Sequence, residues 1–398
     1  MKKIFLTLAA AMLTIAPAWC QQNAQQPLIA SNDVIHQAAS TGEWLPDAPA
    51  KTAKKAKNII IIIGDGMGTA QVYASVVAQK GASNFLRFPF SGFSRTFSSN
   101  KYTTDSGAGG TAIVCGRKTD NYHIGVLPDG TPIPSFLTML RDQGLATGFV
   151  VTSSVLDATP ASTYAHVPYR KMYDTISLHM SQCGFDVMIG GGVHNFRPEN
   201  RHDGLNPIDT LLKRGYEITY SLQDMMNAKS KKLVTLFCEN YYGPVAPGRD
   251  PILYEGTKKA LDILSKDPDG FALMIEGSQI DWACHNNDAP YMQAELADFE
   301  KMLGLVLDYA EKDGNTLVVV TADHETGGLV LLGGDIENGT NKCKYITDGH
   351  SGVMVPVFAF GPGAERFSGI QNNIEILPKV FNAMGRKCYL NDPESPAK

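Results

Sequence analysis

The chain has 398 residues, 43% hydrophobic and 19% charged, with 38 Gly and 22 Pro, which excludes a disordered chain and a coiled coil. At about 150 residues per domain it accommodates two or three domains or one large α/β enzyme. Its net charge is −5, and residues 1–20 contain two lysines and no acid, so loss of that segment leaves a still more acidic protein and a nucleic-acid partner is not expected.

The N-terminus reads MKKIFLTLAAAMLTIAPAWC. Two lysines, an apolar run from Ile4 to Ala16 and small residues at Ala16 and Ala18 predict a secretory signal over residues 1–20, hence a periplasmic or secreted protein. Bulky Trp19 directly before Cys20 argues against lipid attachment there. Residues 21–57 are polar and rich in Gln, Ala and Lys, and are expected to form a leader arm. Beyond them no stretch reaches the roughly eighteen apolar residues of a membrane span.

From Asn58 onward, strand-like apolar runs recur, each followed by Gly, Asp, Ser or Thr and then a helical stretch. The runs are NIIIIIGD (58–65), ATGFVVTSS (146–154), FDVMIGGG (185–192), KLVTLF (232–237), GFALMIEG (270–277), NTLVVVTADH (315–324) and VPVFAFGPG (355–363). Between the fifth and sixth, Met292, Leu296, Phe299, Leu303, Val306 and Ala310 recur every three or four residues and Gly314 marks a stop, predicting a helix that covers a sheet. Continuous rather than alternating apolar strands suit a sheet buried on both faces, so the expected fold is α/β: a mostly parallel central sheet with helices on both faces. Residues 58–398 are expected to form a single catalytic domain with an insertion within 193–250. Ligands of such sheets gather at the carboxyl ends of strands, where this chain places polar clusters after Ile63, Ser153, Ile275 and Val320.

Asp65 lies in GDGMG, whose glycine spacing does not fit a dinucleotide fingerprint and whose carboxylate would repel a pyrophosphate. It is a turn residue or a metal ligand. Ser106 in TTDSGAGGTA precedes a small-residue run able to begin a helix, where backbone N–H groups favour an anion. A serine needs a base or a metal to become a nucleophile, and neither a Walker pattern nor a G-x-S-x-G elbow surrounds it. Glu276 and Asp281 flank a strand end, and His285, four residues after Asp281, shares its side of a helical turn. Asp323 and His324 end another strand, and His350 sits in TDGHSG. Asp with His is a zinc-compatible set, whereas the hard oxygens of Asp157 and Thr159 in LDATPA suit magnesium. His36, His179, His194 and His202 are expected to be structural. Six cysteines, 115, 183, 238, 284, 343 and 388, leave fifteen disulfide connectivities open.

Taken together, GDGMG, the TDS segment, DATPA followed by Arg170 in HVPYRK, the EGSQIDWACH run, TADH and GHSG resemble the alkaline phosphatase family, in the family's order. The resemblance implies Ser106 as nucleophile and Arg170 as phosphate clamp. It implies one zinc on Asp281, His285 and His350, and a second on Asp323, His324 and Ser106. Asp65 would bridge that second zinc to a magnesium held also by Asp157, Thr159 and Glu276. Trp282 departs from the family's best-known pattern, in which a Lys at that position accompanies Asp157; an indole supplies no ammonium, which bears on phosphate binding and on the third metal. The implied activity is hydrolysis of small phosphate monoesters through a phosphoserine, with two zinc ions and one magnesium, and the family often forms homodimers. Rival readings are a phosphodiesterase of the same superfamily and a non-catalytic extracytoplasmic metal- or phosphate-binding protein. A sulfatase is disfavoured because no cysteine begins a C-x-P-x-R signature, and a mutase because of the secretion signal.

Overall fold

The computed structural model describes residues 54–391, so the expected signal segment and the leader arm up to residue 53 lie outside the described residues. The strands, in chain order, are β1 (Asn58–Gly64), β2 (Phe90–Arg95), β3 (Ala146–Ser154), β4 (Val187–Gly191), β5 (Glu217–Thr219), β6 (Leu233–Leu236), β7 (Phe271–Gly277) and β8 (Thr316–Thr321). Then come β9 (Glu325–Thr326), β10 (Val330–Asp335), β11 (Thr340–Lys344), β12 (His350–Ser351), β13 (Val355–Phe360) and β14 (Gly369–Asn372). Ten of these make one sheet in the order β14-β2-β13-β8-β1-β7-β3-β4-β6-β5. Its pairings are parallel except at β13, which runs antiparallel to both β8 and β2.

The isoleucine run of β1 explains why this strand sits centrally. Every one of its residues is buried, and the pleat sends alternate side chains to opposite faces. Ile59, Ile61 and Ile63 enter one hydrophobic core, with Ile113, Phe136, Met180 and Phe381 from helices on that face. Ile60 and Ile62 enter the other, with Leu261, Leu264, Phe299 and Leu303. A strand apolar at both parities has no face to turn to water, so only a doubly covered position satisfies it.

The predicted covering helix spans Ala289–Asp313. Asp288 caps it by accepting from the Tyr291 N–H at 2.9 Å, and Gly314 ends it in the left-handed conformation with φ 64°; a Cβ there is disfavoured. All seven apolar runs of the sequence contain a strand. The unforeseen ones are short or exposed: β2 alternates buried and exposed residues along its second half, and β5 has three residues. The cysteines, for which pairing was open, are all free among the described residues.

Candidate active site

Strands β8, β1, β7 and β3 are consecutive neighbours, and the polar clusters predicted from the sequence all follow their carboxyl ends. Asp65 follows β1; Glu276 lies in the last turn of pleat in β7, in register with Ile63 and Val151. Asp323 and His324 follow β8, and Asp157 and Thr159 follow β3. The short helix Gln279–His285 holds Asp281 and His285 one turn apart. His350 comes from further along the chain, carried by an antiparallel β12–β9 ribbon in which His350 faces Thr326 and Ser351 faces Glu325.

Ser106 is the first residue of the helix Ser106–Cys115, whose cap is Asp105. The Asp105 carboxylate does two things: Oδ1 accepts from the Ala108 N–H at 3.1 Å, and Oδ2 pairs with Arg170 at 2.9 Å. Capping therefore fixes the helix start and the guanidinium together. The small-residue run after Ser106 has a packing reason as well. A Cβ on Gly109 would come within 2.9 Å of the Asp323 carbonyl oxygen, so the helix can lie against the end of β8 only because glycine stands there. The Ser106 hydroxyl is then 3.2 Å from His324 Nε2.

Two clusters of metal-ligating atoms result, one of Asp281, His285 and His350 and one of Asp65, Asp281 and His324, with the atoms of each within 4.8 Å of one another. Asp281 belongs to both. Its Oδ1 is 3.4 Å from His285 Nε2 and 3.6 Å from His350 Nε2, and those two imidazole nitrogens are 3.1 Å apart. Asp323 Oδ2 is 3.2 Å and Asp65 Oδ1 3.4 Å from His324 Nε2. The ring nitrogens turned away from the clusters are themselves engaged: His350 Nδ1 with the Thr104 carbonyl at 2.8 Å and His324 Nδ1 with Thr326 Oγ1 at 3.2 Å. Such outer contacts fix the tautomer that leaves Nε2 free to ligate.

The electrostatics show a site short of positive charge. Burial, reinforced by the charges of Asp323, Asp281 and Glu276, pushes Asp65 well above the carboxylate range. Burial likewise raises Glu276 to about 8, Asp323 to about 7 and Asp157 to about 6, against the pull of Arg170 in the last case. Asp281 goes the other way: burial works to raise it, but the His285 hydrogen bond and the surrounding imidazoles outweigh that and hold it at about 2. His285, bonded to Asp281, rises to about 9, while burial and His350 depress His324. Asp65 Oδ1, Glu276 Oε2, Asp323 Oδ2 and Thr159 Oγ1 are buried without a hydrogen bond of normal geometry. Buried orphaned oxygens are costly, and the chemistry that satisfies four of them beside clustered carboxylates is cation binding. The residues fit the metals that the sequence implies.

A cavity of about 480 Å³ opens over this centre, lined among others by Ser106, Arg170, Asp65, Asp157, Thr159, Glu276, Asp281 and Trp282. All twelve residues singled out from the sequence thus lie in one neighbourhood, and none is stranded elsewhere. Of the histidines set aside as structural, His179 accepts from the His166 N–H and His202 meets Asp174, away from the centre; His36 lies outside the described residues. Sequence reasoning missed Asp105, Thr326 and Tyr241. Asp105 stands directly before Ser106, but one acid ahead of a serine carries no signal that it reaches Arg170. Thr326 donates to Asp281, and Tyr241 packs edge-on against Trp282 with ring centres 5.1 Å apart; neither had a local signal.

A mostly parallel sheet that gathers acid, imidazole and hydroxyl side chains at its carboxyl edge is built as an α/β enzyme builds its active site, and comparison with known proteins narrows the class. The sequence model of the family described as alkaline phosphatase matches residues 56–345. Alkaline phosphatase 3 of Bacillus subtilis is 30% identical, the match covering 92% of this chain and 98% of that one. Streptomycin-6-phosphate phosphatase of Streptomyces griseus is 31% identical over 83% and 91%. The solved alkaline phosphatase of the Antarctic bacterium TAB5 superposes with a TM-score of 0.79 at 36% identity, over 84% of this chain and 99% of that one, and a variant of it was solved with magnesium bound. The chain belongs to the alkaline phosphatase family. It is an enzyme, a phosphatase, and no helix among the described residues is long and apolar enough to cross a membrane.

Proposed function

We propose that the protein hydrolyses small phosphate monoesters through a phosphoserine on Ser106, as a secreted or periplasmic enzyme whose residues 58–398 form one catalytic domain with an insertion within 193–250. The observation that carries this reading is the placement of Ser106 and Arg170 on one cavity with Asp65 and Asp281, which belong to the two ligand clusters, and with Thr159 and Glu276, whose buried oxygens lack a hydrogen bond. Asp281, His285 and His350 would hold one zinc, and Asp323, His324 and Ser106 a second. Asp65, Asp157, Thr159 and Glu276 would hold magnesium, with Asp65 shared between the second zinc and the magnesium. When bound, these ions supply Lewis-acid stabilisation of negative charge on oxygen and lower the pKa of what they ligate.

The protein's own part follows from its geometry. Arg170, oriented by Asp105, presents parallel N–H donors to two phosphate oxygens. Ser106 Oγ, at a helix N-terminus where the dipole favours the incoming anion, forms a bond to phosphorus. The ester oxygen departs with the electron pair of the broken P–O bond and takes a proton as the alcohol. Water then attacks phosphorus on the phosphoserine, releasing inorganic phosphate and restoring the Ser106 hydroxyl, while Arg170 keeps its hold on the phosphoryl oxygens.

A diester keeps two free oxygens but carries one negative charge fewer and a second ester group where the monoester has its third terminal oxygen, so either the clamp meets a weaker acceptor or it gives up one bond to make room for that group. Charge-assisted bonds contribute about 1.5–3 kcal/mol, and about 1.4 kcal/mol is a factor of ten. The enzyme should therefore favour p-nitrophenyl phosphate over bis-p-nitrophenyl phosphate by at least about tenfold, lose activity with a chelator and regain it with zinc and magnesium. Arg170→Ala should erode the preference by harming the monoester reaction. Preference for the diester, or equal slowing of both substrates, replaces this reading with a phosphodiesterase; phosphate binding without turnover replaces it with a binding protein.

A further inference from the structure

The ribbon that delivers His350 has two faces with different neighbours. In an antiparallel pair, side chains directly opposite one another lie on the same side, and successive ones alternate. The register therefore puts Thr326 with His350 on one face and Glu325 with Ser351 on the other. The first face turns to the metal-ligating atoms: Thr326 donates to Asp281, and His350 Nε2 lies 3.6 Å from Asp281 Oδ1. The second carries the carboxylate of Glu325, which is buried at 3% exposure and has no part in the chemistry derived above. Resting on the zinc assignment in that chemistry, we propose that Glu325 is a positioning residue for the site of Asp281, His285 and His350: it locks the ribbon from behind, and the ribbon sets both imidazoles.

Glu325 accepts hydrogen bonds from three separate segments of chain. Its Oε1 accepts from Gln71 Nε2 at 2.8 Å and from the Leu329 N–H at 3.0 Å, and its Oε2 accepts from the Gly328 N–H at 3.2 Å and from the Ser351 hydroxyl. Gln71 lies on the helix Thr69–Ala78, directly after GDGMG, and its amide also donates to the Thr326 carbonyl at 2.9 Å. The last glycine of that motif, Gly68, sits so close that a Cβ there would collide with Glu325 Cγ, so the motif makes room for the carboxylate. An anchor of this kind is needed because an isolated two-stranded pairing is marginal by itself, and β9 and β12 have two residues each. Both histidines of the site depend on the segment that is anchored. His350 stands on β12, and His285 Nδ1 engages the carbonyl of Asp348, two residues before it. Asp323 at the other cluster is held instead by the N–H groups of Gly66 and His324, so a slack ribbon would loosen one site and largely spare the other.

Zinc titrated into chelator-treated protein against a competing chromophoric chelator measures the affinity of each site. Ser351→Ala, which removes one hydroxyl from the half-buried back of the ribbon, should weaken one zinc site by about tenfold or more and leave the other within about twofold. Glu325→Ala should weaken the same site further, by up to about 100-fold. Ser351→Thr, which keeps the hydroxyl and suits a strand, should restore the wild-type affinity. Glu300 supplies a control for a purely structural role: it is equally buried at 3% exposure and accepts from the Ser75 and Ser83 hydroxyls and the Asn84 N–H. Glu300→Gln should lower Tm without moving either zinc constant. Zinc constants unchanged in both Ser351→Ala and Glu325→Ala, or weakened as much in Glu300→Gln, overturn the positioning role and leave the monoesterase standing. Wild-type protein that takes up no zinc overturns the zinc assignment itself and this role with it.

Discussion

Ser106 and Trp282 make opposite demands on the phosphate. Ser106 is buried to 4% exposure and its hydroxyl approaches His324 Nε2, so removing its oxygen leaves the carboxylates and imidazoles of both clusters in place. Ser106→Ala should abolish the acid-stable phosphoenzyme and lower kcat by more than about 10³-fold, with metal content largely kept. Mass spectrometry after acid quench decides this, and a phosphorylated Ser106→Ala protein would remove Ser106 from the nucleophile's role. Trp282 lines the cavity but carries no charge. Trp282→Lys brings an ammonium toward a dianion, and at about 4 Å in water-like surroundings that is worth ~1 kcal/mol, or about a fivefold tighter inhibition constant for inorganic phosphate. Turnover should fall if release limits it. An unchanged constant would mean that position 282 does not face the bound anion.

At the scale of elements, the helix Ser106–Cys115 makes a prediction that propensity alone gets wrong. Ala in place of a helical Gly is ordinarily favourable by about 1 kcal/mol, but a Cβ at Gly109 meets the Asp323 backbone carbonyl at 2.9 Å, a buried main-chain atom just past the end of β8. Gly109→Ala should therefore destabilise by about 1–3 kcal/mol and lower kcat, because the helix that presents Ser106 must withdraw from the end of β8. Urea unfolding and steady-state rates test both halves; a more stable, fully active variant would show that the close approach is not what glycine serves. The same level of organisation shows what could be read without a structure. Runs such as Ile59–Ile63 and Thr316–Thr321 identified central strands because no alternation means two covered faces, and the 281/285 spacing placed two ligands on one helical turn. The β12–β9 ribbon that delivers His350 to His324 left no such trace: two-residue strands have no period, and the pairing joins segments 24 residues apart. Tyr241 was equally invisible, since its place against Trp282 depends on a loop held by Arg249, Glu295 and Asp298. Motifs located the chemistry, whereas the walls around it are long-range packing.

For the whole molecule, gathering carboxylates from four neighbouring strand ends makes the fold depend on the cations it binds. Burial holds Glu276 at about 8 and Asp323 at about 7, against 4.5 and 3.8 for the unperturbed groups. Between those limits the folded metal-free protein keeps on these two acids protons that the unfolded chain has released, so their contribution to stability is lost as pH rises from about 4 to about 8. His285, raised to about 9 chiefly by its hydrogen bond to Asp281, acts in the same direction: its contribution is complete below its ordinary 6.5 and is lost as pH climbs toward 9. Asp281, held at about 2, has the opposite sign, but its contribution is lost only on acidification below 3.8; His324, depressed by burial and His350, also has the opposite sign, and its effect is confined to pH below its ordinary 6.5. Divalent ions take the place of those protons and reverse the penalty, because ligand carboxylates must be ionised to bind them, and binding to the native state alone adds stability by mass action. Chelator-treated protein should thus lose at least about 5 °C of Tm relative to the zinc- and magnesium-loaded form by about pH 8.5, with the gap widening from about pH 6.5 upward, where His324 no longer opposes the buried acids. A gap independent of pH in paired thermal scans would mean that the metals stabilise the fold without relieving the buried acids, and the assignment of Glu276 and Asp323 as ligands would fall with it.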